Sequence, residues 1–346
     1  MRDLRECQFA SDNTAGISSE AIEAIIEANT GCSRSYGEDW WTAKAADSIR
    51  EFFETDCEVF FVFNGTAANS LALSSLCRSY QSILCHQLAH IETDECGGPE
   101  FFTHGTKILT VDGENGKVNT EKLEHLITRR NDVHYPRPKV VSVTQPTEVG
   151  TVYTPDELEA VGELSKKYGL FVHMDGARFA NALAALTLSP AELSWKRGVD
   201  VLCLGGTKNG MPAGEAVVFF NKQLAEDFDY RCKQVGQLAS KMRFFAAPWY
   251  KMLKSGSFVS NAMHANRCAG ILQQRIGEIK QITRVFPCEA NAVLLSMPES
   301  FSSELQGMGW EYYEFFVTGY SRFMCSWNTE VKDIDLLIND MKGIGG

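Results

Sequence analysis

LFVHMDGAR, at residues 170–178, is a near-continuous apolar run that ends in a carboxylate. A second run of this kind, VDVLCLGGTKNG at residues 199–210, ends in a lysine within a glycine-rich turn. Apolar runs of this length are typical of strands that are covered on both faces of a sheet. The helix-sized interval between them predicts two neighbouring parallel strands, with Asp175 and Lys208 at the same edge.

The same alternation of short apolar runs and helical stretches extends outward from this pair. Further strands are predicted at residues 58–63, 139–143 and 216–220. A helix is predicted over residues 155–168, because Thr154 is a good N-cap, Pro155 suits the first helical position and Gly169 suits the end. Together these elements predict an α/β fold with a mostly parallel sheet.

The pattern changes after about residue 250, which indicates a second domain. A long helix is predicted over residues 255–282, followed by candidate strands at 292–296 and 321–325. We therefore expect a large domain over residues 1–250 and a smaller C-terminal α+β domain over 251–346. A chain of 346 residues with 44% hydrophobic content can bury cores of this size.

Charge and cysteine content narrow the class of protein. The formal net charge of -11 argues against nucleic-acid or membrane partners, which require a basic face. The charged first residues lack the apolar core of a signal peptide, no segment is long and apolar enough for a membrane span, and the eleven cysteines form no CxxC pair. We expect a cytoplasmic protein with reduced thiols.

A metal site is the alternative use of the histidines near residue 90. His86, His90 and Asp94 are spaced four apart and would share one face of a helix, so they could bind a metal together. We expect no metal, because the cofactor chemistry described next gives His90 a better role.

Asp175 and Lys208 together indicate pyridoxal 5'-phosphate (PLP). Burying a lysine at the end of an apolar strand is costly unless the amine reacts, and a Schiff base with a carbonyl is such a reaction. A carboxylate on the neighbouring strand end would keep the pyridine nitrogen protonated. Taken singly, Lys208 could be a surface turn residue and Asp175 an ordinary Asp-Gly turn. The lysine turn lacks the spacing of a Walker A loop.

The cofactor's phosphate also requires a binding site, and the sequence offers one after the strand at 58–63. Gly65 and Thr66 open a helical stretch there, so backbone N–H groups and the Thr66 hydroxyl can meet a dianion at a helix N-terminus. Glycine after a strand is common, so this segment indicates a phosphate site only in combination with Asp175 and Lys208.

The sequence resembles the low-specificity L-threonine aldolases, PLP enzymes of the aspartate-aminotransferase fold (fold type I) in the β-eliminating lyase group. The resemblance covers nearly the whole chain, although the family often has Ser where this chain has Thr207. It is carried by residues 11–14 (SDNT), 36–39 (YGED), 64–69 (NGTAAN), 89–90 (AH), 133–136 (VHYP), 173–178 (HMDGAR), 205–210 (GGTKNG) and 241–243 (KMR).

The resemblance implies roles for individual residues. His90 is expected to stack on the cofactor ring, and both it and His134 to lie near the substrate hydroxyl. Tyr36 and Arg243 are expected to enter the site of a neighbouring subunit, Arg243 towards the phosphate, in a homodimer or homotetramer. The expected cofactor-binding residues are Gly65, Thr66, His90, Asp175, Arg178, Thr207, Lys208 and Arg243, and the expected substrate-binding residues are Ser11, Tyr36, His134, Arg178 and Arg322.

The reaction that the resemblance implies is the cleavage of L-threonine or L-allo-threonine to glycine and acetaldehyde. The base that takes the hydroxyl proton is expected to be His90, His134 or a water between them, because imidazole titrates near working pH. Two alternatives remain open. One is another fold type I enzyme, an aminotransferase or β-eliminating lyase, and the other is a non-catalytic phosphate-binding α/β protein.

Overall fold

The computed structural model describes residues 5, 7–315 and 319–344. Its larger sheet has seven strands in the order β1-β7-β6-β5-β4-β2-β3. Only β7 runs antiparallel to its neighbours in this sheet. The strands are β1 (Glu58–Val62), β2 (Gln81–His86), β3 (Lys107–Val111), β4 (Arg137–Thr144), β5 (Phe171–Gly176), β6 (Val201–Leu204) and β7 (Glu215–Phe219).

Helices cover this sheet and continue into the C-terminal region. In the described part of the chain the α-helices are α1 (Ser19–Ala28), α2 (Trp40–Phe53), α3 (Gly65–Leu76), α4 (His90–Thr93), α5 (Gly98–Phe102), α6 (Thr120–Thr128), α7 (Pro155–Tyr168), α8 (Phe179–Leu186), α9 (Phe228–Gln234), α10 (Arg243–Ser255), α11 (Ser257–Ile276), α12 (Glu299–Gly307) and α13 (Val331–Ile344). None of these helices is both long and apolar enough to cross a membrane.

The smaller sheet is antiparallel and lies in the last quarter of the chain. It has the order β10-β11-β9-β8, with β8 at Thr283–Arg284, β9 at Ala292–Ser296, β10 at Tyr313–Phe315 and β11 at Tyr320–Met324. Phe9, near the start of the chain, joins the core of this sheet, and its carbonyl accepts a hydrogen bond from the Met324 amide at 2.8 Å. The N-terminal segment therefore packs with the C-terminal region.

Helix α11 connects the two hydrophobic cores. Phe258 and Ala262, in its first half, pack in the core of the seven-stranded sheet, whereas Cys268 and Leu272 pack in the core of the smaller sheet. A division into two domains near residue 250 stays a proposal. The two cores support two domains, and α10 spans residue 250 itself.

Most predicted elements are present with small shifts at their ends. The α7 helix has the predicted bounds, and its N-terminus is a complete capping box in which Thr154 and Glu157 exchange hydrogen bonds. The predicted helix at 255–282 is shorter, because Gly256 adopts a left-handed conformation before α11 begins, and the helix ends at Ile276. The predicted α/β fold with a mostly parallel sheet is confirmed.

The turns after β5 and β6 lie in direct contact, which places Asp175 and Lys208 at one edge of the sheet. The Gly205 amide donates to the Gly176 carbonyl at 2.9 Å. A Cβ at Gly205 would lie 2.1 Å from the carbonyl oxygen of Ala177, well inside van der Waals contact. The lysine turn therefore needs glycine at this position because of the neighbouring backbone.

We expect Gly205→Ala to lower the free energy of unfolding by about 1–3 kcal/mol, because the backbone must shift to admit a methyl group. The matched control is Gly270→Ala in α11, where a Cβ would meet nothing within 4 Å. This control should be neutral or stabilising by up to about 1 kcal/mol. Urea unfolding of both variants tests the contrast, and equal stability of Gly205→Ala and wild type would contradict it.

Candidate active site

The predicted cofactor residues converge on one cavity at the carboxyl ends of the parallel strands. This cavity, here called the lysine–aspartate cavity, has a volume of about 290 Å³. Its walls include Gly65, Thr66, His90, Asp175, Thr207 and Lys208. The structure therefore brings together six of the eight predicted cofactor-binding residues, from loops and helices that follow four different strands.

The N-terminus of α3 forms one wall of this cavity. The Asn64 side chain accepts a hydrogen bond from the Ala67 amide at 2.9 Å and so caps the helix. The amides of Gly65 and Thr66 precede that bond and belong to the first turn, where amides have no carbonyl partner within the helix. They contribute about half a positive charge at the cavity wall, which suits a phosphate dianion.

Asp175 is buried and held in place by two hydrogen bonds. One carboxylate oxygen accepts from the Ala177 amide at 3.0 Å, and the other accepts from the Asn69 side chain at 3.0 Å. The same Asn69 nitrogen lies 2.8 Å from Glu95 Oε1. Asn69 thus connects two buried carboxyl groups, and it fixes the orientation of Asp175 towards the cavity.

His90 forms a close pair with Glu95. The distance from His90 Nδ1 to Glu95 Oε1 is 2.8 Å, and the Glu95 side chain is fully buried. Burial alone lowers the pKa of His90, but the hydrogen bond to Glu95 and the charges of Glu148 and Asp175 raise it above the usual value. Burial, with the nearby Asp175, raises the pKa of Glu95. The pair therefore retains a proton to higher pH than either group would alone.

A second cavity of about 250 Å³ adjoins the first and contains the predicted carboxylate-binding groups. We call it the arginine cavity. Ser11, Glu148, Arg178 and Arg322 line it, and it shares Asn13, His90 and Lys208 with the lysine–aspartate cavity. Lys208 therefore lies where the two cavities meet.

Both arginines are already paired with acidic side chains. Arg178 donates from Nε and Nη2 to the two carboxylate oxygens of Asp12, at 2.6 and 2.9 Å. Arg322 donates from Nη1 to Glu148 at 3.2 Å. Burial raises the pKa of Asp12, but Arg178 and Lys208 lower it by more, so the net shift is downward and the carboxylate stays charged.

His134 is not brought to this site within the chain. It lies in the loop before β4, at the amino edge of the sheet, in a separate groove with Tyr80, Arg130 and Tyr168. The eight residues of β4 separate that edge from the carboxyl edge by about 25 Å. His134 therefore does not reach the cavities of its own chain, and its contact with the substrate hydroxyl stays a prediction.

Tyr36 and Arg243 also lie outside both cavities of their own chain. The Tyr36 amide donates to the Ser240 carbonyl at 3.1 Å, so Tyr36 lies beside the segment that leads into α10, which begins at Arg243. Tyr36 is exposed, and Arg243 Nε is buried without a hydrogen-bond partner among the described residues. Neither residue completes the site of the chain that carries it.

The sequence reasoning missed four residues that shape the site: Asp12, Asn69, Glu95 and Glu148. Asp12 and Asn69 lie inside motifs that were recognised, but their partners are far away in sequence and carry no local signal. Glu95 follows His90 by five positions, which was the one available hint. Glu148 follows the predicted strand at 139–143 by five positions, so its place at the carboxyl edge could have been found.

The donor set of the lysine–aspartate cavity fits PLP. A helix N-terminus, a buried carboxylate and a lysine line one cavity, which supplies the phosphate, ring-nitrogen and aldehyde contacts that PLP needs. His90, Glu95 and Asp175 also have ligand atoms within 4.8 Å of one another. Asn69 and the His90–Glu95 hydrogen bond already connect these groups to each other. His86, in contrast, points its ring to the Gly113 carbonyl at 3.1 Å.

Comparison with known proteins agrees with this geometry. The family model for β-eliminating lyases matches residues 8–300, so the chain belongs to that family, whose cofactor is PLP. The chain is 56% identical over 337 residues to a low specificity L-threonine aldolase of Pseudomonas sp. (strain NCIMB 10558), covering 97% of each protein. It is also 56% identical to one from Pseudomonas aeruginosa, with 98% of each protein covered.

A solved structure supports the same assignment at the level of fold. The structure of a threonine aldolase from Leishmania major superimposes with a TM-score of 0.91 at 29% identity, and covers 98% of this chain and 99% of that one. The expected fold type I architecture is thereby confirmed, as is the resemblance to the threonine aldolases.

The His90–Glu95 pair generates a pH prediction. Glu95→Gln should lower the pKa of His90, because the hydrogen bond to a charged carboxylate is lost. The raised pKa of His90 in the wild type favours its proton in the folded state, so the stability from this proton is present below about pH 6.5 and is lost as the pH rises through the folded pKa. NMR titration of the seven histidine rings, assigned with His90→Ala, measures the shift.

The matched control is Asp94→Asn, because Asp94 lies 3.8 Å from the other ring nitrogen and is largely exposed. It should change the pKa of His90 much less than Glu95→Gln does. A His90 pKa that is the same in wild type and in Glu95→Gln would contradict the role given to Glu95.

Proposed function

We propose that this protein cleaves L-threonine, L-allo-threonine and related β-hydroxy-α-amino acids such as phenylserine into glycine and an aldehyde. The observation that carries the proposal is the meeting of the lysine–aspartate cavity and the arginine cavity at Lys208. A cofactor site and a carboxylate site joined at a lysine suit an amino-acid substrate. The high identity to two low specificity L-threonine aldolases supports this choice over the other fold type I reactions.

Gly65, Thr66, Asp175 and Lys208 would hold the cofactor in the lysine–aspartate cavity. The helix N-terminus would bind the phosphate, Asp175 would pair with the ring nitrogen, and Lys208 would supply the amine. When bound, the cofactor withdraws electrons from the α-carbon of the amino acid. Asp175 supports that withdrawal because a buried carboxylate keeps the neighbouring nitrogen protonated.

Arg322 is the group best placed to bind the substrate carboxylate, with Arg178 and Ser11 beside it. Arg322 Nε has no partner among the described residues, although the residue is only 8% exposed. Arg178 already uses its Nε and Nη2 to bind Asp12, so it has fewer hydrogen-bond donors left for the substrate. Binding the carboxylate here fixes the orientation of the Cα–Cβ bond, which decides the bond that breaks.

The hydroxyl proton of the substrate requires a base, and the candidates stay His90, His134 or a water held between them. His90 lines both cavities. Its Nδ1 is engaged by Glu95, which leaves Nε2 for the substrate side. A raised pKa makes the ring a stronger proton acceptor once it is neutral.

We further propose that the protein acts in the cytoplasm as a homodimer or homotetramer with shared sites. All eleven cysteines are unpaired, as in a reducing compartment. Tyr36 and Arg243 lie outside the cavities of their own chain, and an arginine would add charge to a phosphate that a helix N-terminus neutralises only in part.

The first test is the product assay. Wild type should release glycine and acetaldehyde from L-threonine, and Lys208→Ala should lose this turnover and the yellow colour of the bound cofactor. Asp175→Asn should lower kcat by about 10²–10³, because it removes the carboxylate that would keep the ring nitrogen of the cofactor protonated. The control is Lys196→Ala, a surface lysine paired with Glu192, which should keep wild-type activity.

Release of pyruvate and ammonia would contradict this proposal and indicate a β-elimination. Exchange of the amino group would indicate an aminotransferase. A colourless wild type after incubation with PLP would contradict the cofactor assignment.

The second test concerns the sharing of sites between subunits. Lys208→Ala and Arg243→Ala are each expected to be weakly active. In a mixed dimer one site carries both changes and the other carries neither, so activity should reappear in the mixture. Native mass spectrometry confirms that hybrids have formed. Hybrids without recovered activity would show that Arg243 serves its own chain or no site.

A further inference from the structure

The loop after β4 carries Glu148 into the arginine cavity in a fixed position. The Gln145 side chain bonds the amide and carbonyl of Tyr153 at 2.9 Å, and Thr147 bonds Thr151 through both backbone and side chain. Gly150 has a φ of +81°, and a Cβ there would lie 3.1 Å from Ala292 of the smaller sheet. The loop is therefore held at both ends and against the second core, so Glu148 is a preorganised side chain.

Glu148 is a buried carboxylate among cationic groups. Its side chain is 11% exposed and contacts Arg322 at 3.2 Å. Burial raises its pKa, but Arg178, Arg322, His90 and Lys208 outweigh burial, and the net effect lowers the pKa. The group is therefore an anion at neutral pH, and an anion accepts hydrogen bonds and donates none.

Arg322 and Glu148 can each form further hydrogen bonds besides the one between them. Arg322 uses Nη1 for Glu148, and its Nε has no partner among the residues the structure describes. A carboxylate has about four lone-pair sites, so Glu148 can accept another bond while it remains paired with Arg322. A substrate carboxylate at Arg322 would therefore place the rest of the amino acid between Glu148, His90 and Lys208.

We propose that Glu148 determines specificity by accepting a hydrogen bond from the β-hydroxyl of the bound substrate, whose single proton turns from Glu148 to the base only in the cleavage step. This inference rests on the proposed function. The α-carboxylate is held at Arg322 and the α-amino group is directed to the site of Lys208, so the β-carbon lies in the space that Glu148 and His90 border. A site built to bond a hydroxyl rejects analogues that lack it, because the buried acceptor would then stay unpaired.

Glu148 could instead only orient Arg322, and these two roles predict different effects when Glu148 is replaced. If Glu148 only oriented Arg322, its loss would weaken every amino acid that carries an α-carboxylate. If Glu148 accepts from the β-hydroxyl, its loss should affect threonine and spare amino acids without that hydroxyl. Glycine and 2-aminobutyrate are suitable probes, since 2-aminobutyrate is threonine with hydrogen in place of the hydroxyl.

The experiment uses the PLP-loaded enzyme and two variants of Glu148. For L-threonine we expect kcat/KM to fall about 10-fold in Glu148→Gln, whose amide oxygen still accepts, and about 100-fold in Glu148→Ala. The dissociation constants of glycine and 2-aminobutyrate, measured from the absorbance change of the bound cofactor, should change less than about 3-fold. Glu226→Gln, an exposed carboxylate outside both cavities, is the control and should match wild type.

Three other outcomes are decisive. A loss of affinity for glycine equal to the loss of kcat/KM for threonine overturns the inference and assigns Glu148 to Arg322 alone. Unchanged kcat/KM for threonine in both variants overturns it as well. A wild type that releases no acetaldehyde from threonine instead refutes the proposed function. Glu148→Gln preserves the shape of the side chain, and cofactor absorbance with circular dichroism confirms that each variant is folded and loaded.

Discussion

The contact between the turns that follow β5 and β6 is the constraint on which the site depends. Parallel pairing sets Asp175 opposite Cys203, and Gly205 then passes so close to Ala177 that no side chain fits between them. This contact positions a carboxylate at the end of β5 beside a lysine in the turn after β6. The geometry comes from backbone packing, so it exists before any ligand binds and costs no reorganisation when one does.

Once the backbone has placed these residues, the pairing of charges determines which side chains are free to bind a substrate. A buried arginine without a partner is costly, and each arginine in the arginine cavity has an acidic partner. The two pairs are unequal. Asp12 takes two donors of Arg178 in a bidentate arrangement, whereas Glu148 takes one donor of Arg322. Arg178 is therefore mainly a positioned charge, and Arg322 is the group with open hydrogen-bonding capacity.

The sequence predicted the fold and the centre of the site because both depend on local patterns. Apolar runs followed by Asp175 and Lys208 placed these residues at one edge, and the cap residues of α7 gave its bounds. In the larger sheet β2 and β3 were not predicted, and in the smaller sheet β8 and β10 were not. The motif around His134 does not say at which end of a strand its loop lies, and the structure places that loop before β4, outside the cavities of the same chain.

The partners of the central residues could not be predicted for a different physical reason. Asp12 lies 166 positions from Arg178, and Glu148 lies 174 positions from Arg322. Such pairs form because burial makes an uncompensated charge expensive, and burial is a property of the folded chain. Single positions therefore show candidate functional groups, whereas the structure shows which of their hydrogen bonds are already used. For an amino-acid substrate the unused bonds matter most, and they lie on Arg322 and around Glu148.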